Sequence, residues 1–240
     1  MKEGKIFYMN IIVCSSVKKR NRDVISLLIY IALFFLAQSI YTYFYTHTAL
    51  RSNYLLQAVI RFSIWTVPVF IYLILSKKNP FEYLKLNRNI LKGILWGLII
   101  GSLIILYNVI SVYLLYGHVN SRFYISGNTW LHDTFTIIST AFQPFYVLLM
   151  FSEEILFRGF FLQKVQEVST FWIGNIANAI LFALIHIIGW TIQGQSIINY
   201  GFGVFVFALI AGIVLKKTNS IWSCVLIHIF NNFIGTSMIL

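Results

Sequence analysis

The feature that most constrains this chain is its recurring apolar runs of about 20 residues. That is the length at which an α-helix rising 1.5 Å per residue crosses a hydrocarbon core about 30 Å thick. Such runs fall at approximately 24–44, 55–75, 91–115, 134–156, 172–190, 199–215 and 219–239, and the fourth is expected to continue as helix to about Lys164. Period-2 alternation is absent from them, which argues against a β-barrel. Composition agrees, since only 10% of the 240 residues are charged and 59% are hydrophobic. A soluble domain needs about 25% charged residues to dress its surface. The expected fold class is all-α, a polytopic transmembrane helical bundle of about seven spans.

Charge placement orients the bundle. The net charge is +11, but fifteen of the eighteen Lys and Arg fall in alternate loops, at 2–22, 77–92, 158–164 and 216–217. Arg51 and Arg122 alone mark the opposite side, and Arg61 lies within a span. Cytoplasmic loops carry the excess of Lys and Arg, so a cytoplasmic N-terminus and an outward C-terminus are expected in a multi-pass cell membrane protein, with a bacterial cytoplasmic membrane as the setting. Aromatics do not interleave with a basic groove, so a nucleic-acid partner is not expected. Residues 1–23 read as a cytoplasmic tail and 24–240 as one transmembrane helical domain. The tail lacks a signal-peptide layout, because its basic cluster follows its weakly apolar stretch. Ile11, Ile12 and Val13 lack the small residues a lipoprotein cleavage site before Cys14 would need. Cys224 sits inside an apolar run, so no disulfide is expected.

Gly93, Gly97 and Gly101 recur every fourth residue on the third span, a spacing that lets helix backbones approach closely. Internal packing is the main reading and dimerisation the alternative; oligomeric state is left open. Pro68 and Pro144 are expected to kink their spans.

Ionisable residues cost about 2.5–3.5 kcal/mol each at mid-helix on insertion scales, so each one inside a span calls for a reason. Arg61 is read as structural, snorkelling or bonded to a neighbouring helix. In the run Ser152 to Arg158, Glu154 and Arg158 are i, i+4 and share a face, while Glu153 is rotated about 100° away. Pairing Glu154 with Arg158 leaves Glu153 able to exchange protons, as a general base must. The alternative is a solvated helix end. On span five, Asn175, Asn178, Phe182 and His186 form one stripe, read as the wall of a polar chamber. On span seven, Cys224, His228 and Asn232 are i, i+4 and i+8. The thiol has no activating cation nearby and reads as a small hydrophobe. At 1.5 Å per residue, Glu153 lies roughly 16 Å from Lys164, His186 roughly 21 Å from Trp172 and His228 roughly 16 Å from Lys217. These depths allow one buried layer.

Glu153-Glu154-x-x-x-Arg158, Phe182-x-x-x-His186 and His228-x-x-x-Asn232, in that order, resemble the three motifs of the CPBP family. That family includes the type II CAAX prenyl endopeptidases and the bacterial Abi proteins, some linked to bacteriocin processing or self-immunity. The resemblance covers roughly 135–240. It implies that Glu153 and His186 activate a water, that His228 and Asn232 stabilise the oxyanion, and that Glu154 and Arg158 hold the glutamate helix, with Phe182 supporting. It also implies a membrane-associated peptide or protein substrate, although bacterial members generally lack a prenylated CAAX partner.

Glu153, His186 and His228 are the alternative ligands for a metal. His-Glu-x-x-His is absent and the donor set is poor for zinc, so no cofactor is expected. A non-catalytic immunity or regulatory binder is the competing function. A proton-coupled transporter is a third, but no inverted repeat or paired broken helices support it.

Overall fold

The computed structural model describes residues 2–47, 54–116, 144–192 and 197–237, which are helical apart from short turns. Helix α1 (Lys2–His47) and α2 (Tyr54–Leu75) are followed by a short α3 (Pro80–Tyr83) and by α4 (Ile90–Tyr116). Next come α5 (Pro144–Glu154), a π-helical turn (Ile155–Phe161), α6 (Leu162–Gln166), α7 (Phe171–Ile192), α8 (Ile197–Thr218) and α9 (Ile221–Ser237). No proline interrupts residues 2–47, and the helix runs unbroken from Lys2, so the expected tail is a helical extension of the first span.

Among the described residues, five helices are long and apolar enough to cross a membrane, over Asp23–Tyr45, Leu55–Leu75, Ile90–Tyr107, Phe171–Ile188 and Gly201–Thr218. The apolar part of α9, Ile221–Asn232, is shorter. The expected start of the fourth span, 134–143, lies outside the described residues, as do Arg51 and Arg122. The helices that bear Glu153 and His228, Pro144–Glu154 and Ile221–Ser237, are shorter over the described residues. Around the bundle, Leu28, Leu33, Ile71, Leu91, Leu103, Trp172 and Ile173 are all more than half exposed. An apolar exterior around a polar interior is the arrangement lipid selects. The protein is a multi-pass membrane protein.

The π-helical turn forms the centre, with all seven of its residues buried. Phe157 packs edge-on to Trp65 and to Phe182, at 6.0 and 4.9 Å between ring centroids. Phe160 meets Tyr30 and Tyr72 at 4.9 and 5.2 Å. Such turns inside α-helices occur frequently at functional sites. Here the turn follows directly on the paired glutamates.

The glycine stripe of α4 receives α9. A Cβ on Gly93 would lie 2.4 Å from Ser220 Oγ, one on Gly97 2.7 Å from Leu226 Cβ, and one on Gly101 2.6 Å from Phe230. The stripe therefore serves internal packing. The basic loops gather at one end of the bundle. Asn79 caps α3, its Oδ1 accepting from Phe81 N at 3.0 Å. Beyond it, Ile221 N donates to Lys85 O at 3.3 Å, Trp222 Nε1 to Leu86 O at 2.8 Å and Asn89 Nδ2 to Thr218 O at 3.1 Å. Lys78 and Lys164 both reach Glu167. Three of the four stretches that the charge bias assigned to one side of the membrane thus meet, around Lys78–Asn89, Lys164 and Thr218, whereas Arg158 is buried in the bundle.

Candidate active site

Adjacent residues on a helix point about 100° apart, and α5 ends on two adjacent glutamates facing different neighbours. Glu154 turns towards α9 and is fully buried. Its Oε1 accepts from Arg158 Nη1 at 3.0 Å and from His228 Nδ1 at 2.7 Å. Arg158 is equally buried, and its guanidinium lies 4.1 Å from the Phe182 ring centroid and 5.4 Å from that of Phe207. Among the described residues Arg158 Nε and Nη2 have no hydrogen-bond partner. The aromatic faces take that side of the cation instead, an interaction of about 2 kcal/mol when desolvated. The placing of Phe182 follows from this contact.

Glu153 turns the other way. Its Oε1 accepts from Arg61 Nη2 at 3.0 Å. Its Oε2 lies 3.8 Å from His186 Nε2 and 3.8 Å from His228 Nε2. Both distances exceed a hydrogen bond, so neither imidazole Nε2 is bonded directly to Glu153. Hydrogen bonding on the far side of each ring sets its tautomer. His186 Nδ1 sits 2.7 Å from the Phe182 carbonyl, which only accepts, so Nδ1 carries a proton and the Nε2 lone pair of the neutral ring faces Glu153. His228 Nδ1 likewise donates to the Glu154 carboxylate. Exposure falls off inwards, with the side chains of Arg61 and His186 at 27% and 22% and those of Glu153 and His228 at 9% and 4%. The chamber opens along Arg61 and His186.

Glu153, Glu154, Arg158, Phe182, His186 and His228 thus converge from four elements, α5, the π-helical turn, α7 and α9. Asn232 lies one turn beyond His228 on α9, with its side chain exposed. The stripe on α7 divides. His186 and Phe182 reach the site, whereas Asn175 and Asn178 are buried elsewhere along the helix. Asn175 Nδ2 donates to Leu209 O at 3.0 Å, and Gly212 makes room for it, since a Cβ there would fall 1.8 Å from Asn175 Oδ1. Asn175 is therefore an inter-helix link and not a chamber wall. Cys224 is buried against Ala211 O at 3.3 Å, a packed thiol. Arg61, read from sequence as structural, is the residue that joins the site unexpectedly. Its intramembrane charge was the signal, but nothing in the chain pairs it with a carboxylate 92 positions away.

A zinc ion needs donors about 2.0–2.2 Å away, and a catalytic site supplies three of them. Glu153 Oε1 is engaged by Arg61, whose cation would sit beside the metal. Among the described residues no group of three or more His, Cys, Asp or Glu side chains is arranged to hold a metal ion.

Residues 134–234 match the family model described as type II CAAX prenyl endopeptidase Rce1-like. No curated protein and no solved structure gives a match. The matched segment contains every converging residue except Arg61. Residues 134–234 are thus similar to an Rce1-like type II CAAX prenyl endopeptidase domain, a likeness consistent with a CPBP family intramembrane protease.

Proposed function

We propose that this chain is an intramembrane endopeptidase that hydrolyses a peptide bond of a membrane-associated peptide or protein. The observation that carries this reading is the pair of imidazole Nε2 atoms, each 3.8 Å from the same oxygen of Glu153. A water between them has an acceptor in Glu153 Oε2 and a second in the lone pair of neutral His186. Attack on the scissile carbonyl forms the C–O bond and passes the water proton to Glu153. The resulting oxyanion accepts a hydrogen bond from His228 Nε2, which carries a proton when the ring is imidazolium. The Glu154 carboxylate under Nδ1 stabilises that imidazolium, the service an aspartate performs for histidine in a serine protease triad. Asn232 adds an amide donor from the next turn. Oxyanion donors of this kind are worth about 2.7–4 kcal/mol each. Collapse breaks the C–N bond, and the proton held by Glu153 goes to the leaving amine. No metal enters this sequence.

The setting we infer is the bacterial cytoplasmic membrane, and the biological role peptide processing or immunity to a membrane-active peptide. Peptides from cells carrying the wild-type chain are compared with those from cells carrying Glu153→Ala or His186→Ala at equal expression. A membrane-associated peptide whose cleavage vanishes in both variants is expected. Unaltered cleavage in both would sink the mechanism. An unaltered wild-type phenotype with Glu153→Ala favours the non-catalytic binder.

A further inference from the structure

Among the described residues, Arg61 is the one charged group beside Glu153 that comes from outside the matched segment. It donates from Nη2 to Glu153 Oε1 at 3.0 Å. The terminal torsion of a glutamate is broad and roughly two-fold, so a carboxylate held at neither oxygen can turn away from its partners. Holding Oε1 leaves Oε2 facing both imidazoles. Arg61 is itself braced. Its guanidinium lies 4.9 Å from the centroid of Trp65, one turn along α2. Trp65 is 1% exposed, wedged edge-on against Phe34 at 5.4 Å and Phe157 at 6.0 Å. Its Nε1–H donates to Gln38 Oε1 on α1 at 2.8 Å. A line of fixed groups therefore runs from α1 through α2 to Glu153.

We propose that Arg61 is a positioning residue, which orients Glu153 so that one oxygen is presented to His186 and His228. A snorkelling arginine would send its charge to the interface; this one spends it on a carboxylate of another helix. The Rce1-like segment is then incomplete alone, because α1 and α2 set the angle of its glutamate. The inference rests on Glu153 acting as the base, and its test is built to be separable from that reading.

The full-length chain is purified with ring-labelled histidine, and the His186 and His228 signals are assigned from His186→Gln and His228→Gln. Arg61→Gln is expected to move both ring signals and Arg61→Lys to move them less. In a Glu153→Gln background, removing Arg61 is expected to add nothing. Unmoved signals, or the same movement with and without the Glu153 carboxylate, would overturn the positioning role whether or not any peptide is cleaved. On a peptide whose cleavage depends on Glu153, Arg61→Gln is expected to lower kcat about 10–100-fold with KM little changed, and Arg61→Lys to recover part of it. A raised KM with unchanged kcat would overturn the proposal and assign Arg61 to substrate binding.

Discussion

Two clusters of charge stand on one helical segment, thirteen residues apart, and they obey different rules. At the start of the π-helical turn, Glu154, Arg158 and His228 are sealed from solvent. At its far end, Glu167 receives Lys78, Lys164 and the hydroxyl of Tyr83, with Glu167 and Lys78 about a third exposed. In the dry cluster each charge depends on its partner, since a lone ion there has neither water nor a counter-charge. In the wet cluster water replaces whatever is removed. The same residue types therefore hold a buried carboxylate against an imidazole at one end and fasten a loop at the other.

The contrast can be broken most forcefully at Arg158. Arg158→Met leaves the Glu154 carboxylate buried beside His228 without its guanidinium, and a loss of about 3–5 kcal/mol is expected. Survival of monomeric protein after a heat step, read by size-exclusion chromatography, measures it. The double change Glu154→Gln with Arg158→Met should regain most of the loss, because no uncompensated ion remains. A single variant as robust as wild type would show that the two clusters do not differ.

Acid sharpens the other side. Burial opposes ionisation of Glu167, but hydrogen bonds from Lys78, Lys164 and Tyr83 outweigh it and hold the carboxyl below its usual value of 4.5. A depressed carboxylate contributes stability that is complete above its unfolded value and is lost as pH falls through the folded one. Wild type should therefore lose some heat resistance as pH drops from about 5 to 3, and Glu167→Gln should lose less over the same window. Equal losses would remove Glu167 from the account. Smallest of all, Lys78→Met should cost no more than about 1 kcal/mol, and raised salt should shrink the difference between it and wild type.

Much of this was legible in the sequence, for physical reasons that can be named. Hydropathy exposes spans because lipid tolerates few alternatives to a continuous apolar helix, and Glu153, His186 and His228 stand out because charge inside such a helix is costly. Helical rotation also turns Glu153 away from Glu154, and the two carboxylates approach His228 from its two different nitrogens. The rest depends on partners distant in the chain. Helical periodicity put Asn175 on the same stripe as His186, yet the stripe is long enough to serve both a packing seam and a chamber. The π-helical turn has no signature in Ile155–Phe161 by itself. Nor does Arg61 announce that it meets Glu153, since that meeting is made by Trp65 and the packing of α1 and α2.

The smooth glycine face of α4 also sets a clock. Leu86, at the foot of that helix, bonds to Trp222 on α9, 136 positions later in the chain. At about 5–20 residues per second of synthesis, α4 waits roughly 7–27 s for the helix that fills its groove. His228 rides on that helix. A nascent chain halted between Ile192 and Ile221 already holds Glu153 and His186 but lacks His228, so the cluster is complete only in a nearly finished chain. The order of translation places the last of these side chains after all the others.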